Sequence, residues 1–345
     1  MTFPEHRTRP AITSASSPPA SRVLGRRALL GGVAGGLLLC LAGSARDPWR
    51  LARPLDGSFI QPWRDDLLLS NTQWAERVAD ARRLGCPDLI LQWTRHGADY
   101  ALDGDLLARL LDFVLAAGCR LRVGLPYDPA YWAVLEGRGG RARDAFLSDA
   151  AEACRRFMEA APFLGHPAFS GWYLPYELDQ ASWARPEDVA ALVGFLRAVR
   201  QAGGTVPMAV SCFHSRNDPG RTLLDLWRAL PQDLGLRPLV QDGVGVFGLS
   251  NYRLLAPLFA HLRASGVPFD VVVELFAQKP TDHLQPGAFA ADAAPFTRLS
   301  AQLDLAAASG AEHLVAFALH PYMTGPAPGA GQLLASYERA LALGR

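Results

Sequence analysis

NTQWAERVADARRLGCPDLILQW, residues 71–93, contains the unit that decides the fold. Through residues 71–85 the apolar side chains recur at the spacing of one helix face. Gly85 ends this stretch, because glycine adopts the left-handed conformation after a helix without steric cost. Residues 88–93 then form a short apolar run that is typical of a buried strand. A helix joined through glycine to a buried strand is part of a β/α repeat.

The same unit recurs along the chain, and it predicts an α/β fold of the TIM (β/α)8 barrel type. The competing open, doubly wound sheet usually has a glycine-rich turn after its first strand, whereas QPWRDD follows here. The predicted strands are 57–63, 88–93, 120–127, 169–177, 206–213, 238–245, 270–277 and 313–319. The predicted helices are 71–85, 103–118, 143–161, 186–203, 220–235, 251–266, 296–310 and 332–343.

The first 45 residues do not fit this repeat and resemble an export signal. An Arg-Arg pair precedes the apolar stretch 28–42, and small residues lead to Ala45, the order of a signal peptide with a twin-arginine-like motif. We predict a leader over 1–45, a single barrel domain over 46–345 and a periplasmic or secreted protein with no stable membrane insertion after cleavage. The alternative is an uncleaved membrane anchor, for which the apolar run is short.

Composition and motifs exclude several classes of function. The chain has 34 Lys and Arg against 33 Asp and Glu, and removal of the leader leaves a net charge of about −3 counted from the sequence. There is no basic run, so we expect no nucleic-acid partner. No dinucleotide or Walker fingerprint occurs, and the single lysine, Lys279, precedes a proline in a loop, which argues against a Schiff-base enzyme. We expect no cofactor.

Four cysteines remain after the leader, and they lack the CxxC spacing of zinc sites. Cys86 and Cys119 each come just before a predicted strand. A disulfide between the two strand bases and two buried free thiols therefore both remain open.

Polar and aromatic side chains gather at the predicted strand ends. In a β/α barrel the carboxyl ends of the strands and the loops after them form the active face. The strand starts show no comparable cluster in the sequence. The positions at the strand ends are Gln61, Trp63, Gln92, Trp93, Tyr127, Asp128, Tyr176, Glu177, His214, Gln241, Asp242, Glu274, Phe276, Gln278, His320 and Tyr322.

Glu177 and Glu274 are the most informative of these residues. Glu177 ends the fourth predicted strand, and Glu274 follows three valines in the seventh. Burying an unpaired carboxylate is heavily penalised, so such a residue has either a partner or a purpose. Two carboxyl groups that face each other across a barrel mouth at about 5 Å have the spacing of a retaining glycosidase, with one protonated acid and one ionised nucleophile. An ion pair with an arginine such as Arg64, Arg95 or Arg216 is the structural alternative.

The stretches GSFIQPW, LILQWT, GWYLPYE, VQDGVG and VELF resemble domain of unknown function 4434, a bacterial family placed among the glycosidase-like barrels. The resemblance covers roughly residues 55–325. It implies the largest retaining clan of glycoside hydrolases, in which the glutamate of strand four is the acid/base and that of strand seven is the nucleophile. Those positions are Glu177 and Glu274. Many members of the clan have Asn before the acid/base to contact the sugar 2-hydroxyl, whereas this chain has Tyr176, so Gln241 and Asp242 become candidates for that contact.

The other polar and aromatic residues at the predicted strand ends suit a carbohydrate ligand, since aromatic rings stack on sugar C–H faces while amides form hydrogen bonds. Trp172 and Tyr173 point to opposite sides of a strand, so one of them should pack in the barrel. Histidines 96, 214 and 320 lack HxH or HExxH spacing, and we predict no metal site. The expected substrate-binding set is Gln61, Trp63, Gln92, Trp93, Tyr127, Tyr176, His214, Gln241, Asp242, Phe276, His320 and Tyr322.

Two functions follow from this set. The first is an exported glycoside hydrolase that acts on a poly- or oligosaccharide by double displacement. The second is a non-catalytic barrel that binds an envelope polysaccharide or exopolysaccharide. The glutamate pair favours the enzyme, and the missing Asn favours binding alone.

Overall fold

The computed structural model describes residues 49–137, 140–217, 220–279 and 290–344. Eight parallel strands close into a barrel in sequence order, so the last strand pairs with the first. The predicted TIM barrel is confirmed. The strands are β1 (Gly57–Ile60), β2 (Asp88–Leu91), β3 (Arg120–Gly124), β4 (Phe169–Asp179), β5 (Met208–Phe213), β6 (Leu236–Gln241), β7 (Asp270–Glu274) and β8 (His313–Phe317).

A shell of eight principal helices surrounds the barrel and overlaps every predicted helix. These helices are α1 (Asn71–Arg83), α2 (Gly104–Ala116), α3 (Gly140–Glu159), α4 (Pro186–Gly203), α5 (Leu223–Ala229), α6 (Tyr252–Ala264), α7 (Phe296–Ala308) and α8 (Ala330–Leu343). Local signals explain several boundaries. The Asp103 side chain caps α2, a Ser70–Gln73 capping box starts α1, and Gly85 takes a φ of 89° after α1.

Most strands are shorter than the sequence indicates, and this shortening moves several expected site residues into loops. β1, β2 and β3 end before their polar and aromatic tips, which lie just beyond the last ladder residue. β4 is longer and continues to Asp179. Phe276–Gln278 forms a separate two-stranded hairpin with Ala291–Ala293 after β7. The residues that follow their strands are Gln61, Trp63, Gln92, Trp93 and Tyr127.

Side chains alternate along β4 between the barrel interior and the helix shell. Tyr173 packs inside with the inward residues of the other strands, such as Phe59 and Val272. Trp172 packs outward in the larger core cluster, where its ring lies 6.0 Å from that of Phe157. The expectation that one of the pair fills the barrel is confirmed for Tyr173, because neighbouring residues in a strand face opposite sides.

The strand starts carry a charged cluster in the structure, whereas the sequence indicated no cluster there comparable to that at the strand ends. Asp270 at the start of β7 is fully buried, and its Oδ2 accepts hydrogen bonds from Arg122 Nη1 and Arg237 Nε, each at 2.9 Å. His313 Nδ1 lies 2.9 Å from Asp270 Oδ1. These residues are far apart in sequence and lie on four strands, so no local pattern announces the cluster.

All four cysteines of the described residues are free and buried, so Cys86 and Cys119 form no disulfide. Residues 1–48, which include the expected leader, lie outside the described part of the chain. No helix in the described ranges is long and apolar enough to cross a membrane.

Candidate active site at the barrel mouth

Glu177 lies near the end of β4 and is only 9 % exposed. Burial raises the pKa of its carboxyl group, a hydrogen bond from Gln241 at the end of β6 lowers the pKa, and the charge of Asp179 raises it again. The net result is a pKa of about 7. The side chain therefore has the character of a proton donor at neutral pH.

Glu274 ends β7 and is 6 % exposed. Its Oε2 accepts a 2.7 Å hydrogen bond from the main-chain N–H of Gly245, in the helical turn Val244–Phe247 after β6. Burial raises the pKa of Glu274, and the nearby charge of Asp242 raises it further. The charge of Glu177 adds to the rise, so the two glutamates interact electrostatically. The pKa values of both glutamates are raised, so the surroundings do not by themselves separate one protonated from one ionised glutamate, and that contrast stays a prediction.

Neither glutamate takes part in an ion pair within the described ranges of the chain, and the three arginines proposed as partners have other surroundings. Arg64 lies 3.9 Å from Asp99, and Arg216 lies over the ring of Phe247. Arg95 lies in a short hairpin after β2, where it pairs with Ala101. The structural ion-pair alternative therefore receives no support.

Asp242, the first residue after β6, is fully enclosed behind Glu274. Its Oδ1 accepts hydrogen bonds from the N–H groups of Val244 at 3.1 Å and Glu274 at 3.4 Å. Its Oδ2 accepts from the Tyr252 hydroxyl at 3.2 Å and from Gln302 Nε2 at 2.5 Å. The structure thus places Asp242 beneath the mouth, because the sharp turn after β6 directs its side chain toward α6 and α7.

Arg298 on α7 reaches the same region from the shell. Its Nη2 donates to the carbonyl oxygen of Glu274 at 2.6 Å, and its Nη1 donates to the carbonyl oxygen of Phe276 at 2.7 Å. The guanidinium charge lowers the pKa values of Glu274 and Asp242, although burial and the other charges outweigh it. Arg298 therefore holds the end of β7 through main-chain atoms.

Tyr176 occupies a place that differs from the expected sugar contact. It is 1 % exposed, and its ring packs in the helix shell against Tyr131 and Phe195. Its hydroxyl oxygen accepts a hydrogen bond from the N–H of Asp128 at 3.2 Å. Strand alternation is the reason, because Tyr176 lies on the outward side of β4 while Glu177 faces inward.

The loops after β1, β2 and β3 build an aromatic wall on one side of the mouth. The Trp93 ring stacks on that of Tyr127 at 5.6 Å and meets that of Trp63 edge-on at 5.5 Å. Trp93 Nε1 donates to the carbonyl oxygen of Pro62, and Trp63 Nε1 donates to Gln61 Oε1. Trp63 and Tyr127 remain partly exposed. These contacts hold the rings in fixed orientations.

The other expected site residues are distributed around the rim. His320 Nε2 lies 3.1 Å from Arg77 Nη2, and Phe276 and Tyr322 are buried against each other with ring centroids 5.4 Å apart. Gln92 is buried, and its Oε1 has no hydrogen-bond partner within the described ranges. His214 follows β5 and is partly exposed, and its charge lowers the pKa of Asp179.

Five residues of this site were not anticipated from the sequence: Asp179, Gly245, Tyr252, Arg298 and Gln302. Arg298 and Gln302 look like ordinary helix residues in the sequence, and only tertiary packing brings them behind the mouth. Asp179 lies two residues beyond Glu177, on the same side of β4. No group of three or more His, Cys, Asp or Glu side chains with the arrangement of a metal site occurs in the portion that the structure describes.

Comparisons with known proteins agree with this architecture. The family described as "Domain of unknown function (DUF4434)" matches residues 55–330. A curated relative, "Uncharacterized protein YbcH" of Escherichia coli (strain K12), is 30 % identical over 251 residues, which cover 66 % of this chain and 81 % of the relative.

Solved structures with the same fold include enzymes that act on glycosides. A "putative alpha-L-fucosidase" from Bacteroides thetaiotaomicron VPI-5482 aligns with a TM-score of 0.62 and 16 % identity over 92 % of this chain and 99 % of that one. The endo-beta-1,4-mannanase from Thermotoga petrophila aligns with a TM-score of 0.52 and 14 % identity over 84 % and 77 % of the two chains. At these identities the likeness shows the fold alone, which is the TIM barrel.

Proposed function

The chain belongs to the DUF4434 family, and from the buried carboxyl groups at its barrel mouth we propose that it is a retaining glycoside hydrolase. The observation that carries the proposal is the pair Glu177 and Glu274, at the ends of β4 and β7. Both are at least nine-tenths buried, they interact electrostatically, and neither has an ion-pair partner among the described residues. Raised pKa values of this kind in a cleft are typical of catalytic acids.

In the proposed mechanism Glu274 attacks the anomeric carbon as a carboxylate, while Glu177 gives its proton to the departing glycosidic oxygen. The bond from the anomeric carbon to that oxygen breaks, and an ester to Glu274 forms. Glu177, now ionised, takes a proton from water, whose oxygen attacks the same carbon and displaces Glu274. The Gly245 N–H, which already binds Glu274 Oε2, stabilises this carboxylate as nucleophile and as leaving group.

The loops around the pair supply the proposed sugar contacts. Trp63, Trp93 and Tyr127 offer ring faces or edges on which a sugar can pack. Gln241, at the end of β6, forms a side-chain hydrogen bond with Glu177. The rim contributes further proposed contacts from Gln61, Gln92, His214, Phe276, His320 and Tyr322. Asp242 and Tyr176 are assigned supporting roles instead, because both are fully enclosed by protein.

The test is hydrolysis of a panel of oligosaccharides and aryl glycosides by the purified protein without residues 1–45. Glu274→Gln should lower kcat by at least about 10⁴-fold and leave oligosaccharide binding largely intact, because its amide cannot form the ester intermediate. Glu177→Gln should slow both steps on the same substrates. With aryl glycosides whose leaving group needs no protonation it should spare the first step alone, so that a burst of the released phenol precedes slow turnover, because the second step still lacks its base. The product anomer should retain the configuration of the substrate.

Glu136→Gln serves as the matched control, since Glu136 is exposed at the end of the helical turn Tyr131–Glu136. It should have wild-type activity. Hydrolysis by Glu274→Gln at the wild-type rate would contradict the assigned nucleophile, and inversion of the product anomer would contradict the retaining mechanism.

A non-catalytic glycan-binding barrel is the second candidate, and the place of Tyr176 favours it. The side chain lies in the helix shell, so β4 provides no amide beside the acid to contact a sugar 2-hydroxyl. This candidate predicts that the wild type and both Glu→Gln variants bind one glycan of the panel equally and that none hydrolyses it.

The proposed site of action is the periplasm or the outside of the cell, which rests on the twin-arginine-like leader of residues 1–45. Replacement of Arg26 and Arg27 by lysine should leave the full-length protein in the cytoplasm, as fractionation would show. Export unchanged by this replacement would contradict the twin-arginine route.

A further inference from the structure

We infer that Asp242 is a positioning residue that controls the charge of Glu274, so that the loop after β6 and helix α7 regulate the proposed nucleophile. The inference rests on the proposed function of Glu274. In this inference Asp242 contacts no sugar. It positions the carboxyl group of Glu274 and sets the pH at which that group ionises.

Asp242 is itself held in the ionised form by its contacts. Both of its oxygens accept hydrogen bonds from two donors each, and a carboxylate offers about four acceptor sites. Hydrogen bonds to the charged form favour that form. Burial raises the pKa of Asp242 to about 6, and these hydrogen bonds keep it below the pKa of Glu274, so Asp242 is the member of the pair that ionises first.

Three contacts connect Asp242 mechanically to Glu274. Asp242 Oδ1 accepts from the N–H of Glu274 itself, and Gln302 Nε2 donates both to Asp242 Oδ2 and, at 3.2 Å, to the carbonyl oxygen of Glu274. Asp242 also holds the N–H of Val244, and the next residue, Gly245, donates to the Glu274 carboxyl group. Displacement of Asp242 would move both the main chain of Glu274 and the donor to its side chain.

The charges around Glu274 do not balance. Asp242 on the β6 loop and Glu177 on β4 are acidic, the Tyr252 hydroxyl on α6 is already bound to Asp242, and Arg298 on α7 is the one positive group acting on the pair in the described part of the chain. One cation cannot neutralise two buried carboxylates, so the pair Asp242 and Glu274 retains a proton. Because donors saturate Asp242, that proton resides on Glu274 rather than on Asp242, and Glu274 attacks from the state in which it has lost this proton.

The experiment is a carbon-13 NMR titration of protein labelled at glutamate Cδ, with the Glu274 resonance assigned by its loss in Glu274→Gln. In Asp242→Asn the titration midpoint of Glu274 should fall by at least about one pH unit toward the ordinary value near 4.3. Asn keeps an oxygen that accepts the two N–H groups. Its Nδ2 can donate to Oε1 of a flipped Gln302 amide, an atom that otherwise has no partner in the described ranges, and the flip gives up the 3.2 Å hydrogen bond to the Glu274 carbonyl oxygen.

Tyr252→Phe provides an independent route if Asp242→Asn does not fold. Loss of one donor makes Asp242 harder to ionise, so the Glu274 midpoint should shift in the same direction by a smaller amount. Asp149→Asn, on the exposed face of α3, is the control and should leave the midpoint unchanged. An unshifted Glu274 midpoint in both test variants would overturn the inference. The titration needs no substrate, so its outcome is separate from success or failure in finding a hydrolysed glycan.

Discussion

At the scale of single residues, the pKa of each buried carboxyl group depends on whether its hydrogen-bond donors are neutral or charged. Glu177 and Glu274 are as buried as core residues, and among the described residues their side-chain hydrogen bonds come from neutral donors, the Gln241 amide and the Gly245 N–H. Asp270 is equally buried, but two arginines and a histidine surround it, and its pKa is lowered. The same functional group thus becomes an acid at one end of the barrel and a permanent anion at the other.

The pH dependence of hydrolysis tests this assignment. The active form of a retaining pair carries one proton, so a plot of kcat/KM against pH should be bell-shaped. Its two apparent pKa values belong to the coupled pair Glu177 and Glu274. Because both pKa values are raised, and that of Glu177 to about 7, the optimum should lie at or above neutral pH. At pH 5 kcat/KM should be at least about tenfold below its maximum, since a second proton then occupies the pair. An optimum near pH 5, measured on any hydrolysed glycoside, would contradict these surroundings.

At the scale of elements, the turn after β6 connects strand geometry to the site. Gly245 lies so close to Phe276 that a Cβ atom would come within 2.6 Å of both its ring and its carbonyl oxygen. Glycine is therefore required for the turn to approach the hairpin after β7. This close approach brings the Gly245 N–H to Glu274. The hydrogen bond to the proposed nucleophile is therefore possible because Gly245 has no side chain.

Gly245→Ala should therefore lower both activity and stability. The added methyl group must displace the turn or the hairpin, which breaks the 2.7 Å hydrogen bond to Glu274. We expect a loss of about 10²-fold in kcat, as for removal of one preorganised donor, and of about 1–3 kcal/mol in the free energy of unfolding. Steady-state kinetics and urea denaturation measure the two effects.

Gly194→Ala is the matched control, because Gly194 lies inside α4 and a Cβ there would meet no atom within 4 Å. It should leave kcat unchanged and raise stability by about 0.5–1 kcal/mol. Equal kinetics for Gly245→Ala and the wild type would show that the turn does not hold the carboxyl group.

At the scale of the whole molecule, the two ends of the barrel divide stability from function. At the lower end, where the strands begin, Asp270 on β7 binds Arg122 on β3, Arg237 on β6 and His313 on β8. The upper end, where the carboxyl ends of the strands lie, contains Glu177 and Glu274, which form no ion pair in the described ranges. This division matches the general rule that the upper face of such barrels is catalytic and the lower face is structural.

Asp270→Asn should destabilise the whole barrel by about 3 kcal/mol at pH 7, because two partly buried guanidinium groups lose the buried anion that they share, and Arg237 keeps only its pair with the exposed Glu312. Hydrogen bonds and charges lower the folded pKa of Asp270, so its stabilising effect is present above the unfolded pKa of about 3.9 and disappears as the pH falls through the folded value. The difference in unfolding free energy between wild type and variant should therefore shrink at pH 2–3.

Arg120→Gln, which breaks an exposed pair with Asp88 at the same end, should cost no more than about 1 kcal/mol. Denaturant melts of wild type and both variants at pH 7 and pH 3 measure these differences. An Asp270→Asn variant as stable as Arg120→Gln would contradict the role of the cluster.

The sequence by itself determined the barrel and the strand positions of both glutamates. Apolar periodicity, helix-ending glycines and runs such as residues 270–273 depend on local spacing, so they predict strands and helices in order. Strand alternation would also have placed Tyr176 on the outer face beside Trp172, since both lie an odd number of positions from inward Tyr173.

Tertiary structure alone decided what surrounds the glutamates. Arg298 and Gln302 come from α7, Tyr252 from α6 and the Gly245 N–H from a turn, and none of them is near Glu274 in sequence. The cluster at Asp270 arises in the same way from four strands. Burial and long-range contacts set the pKa of a carboxyl group, and these arise only when barrel closure brings distant segments together.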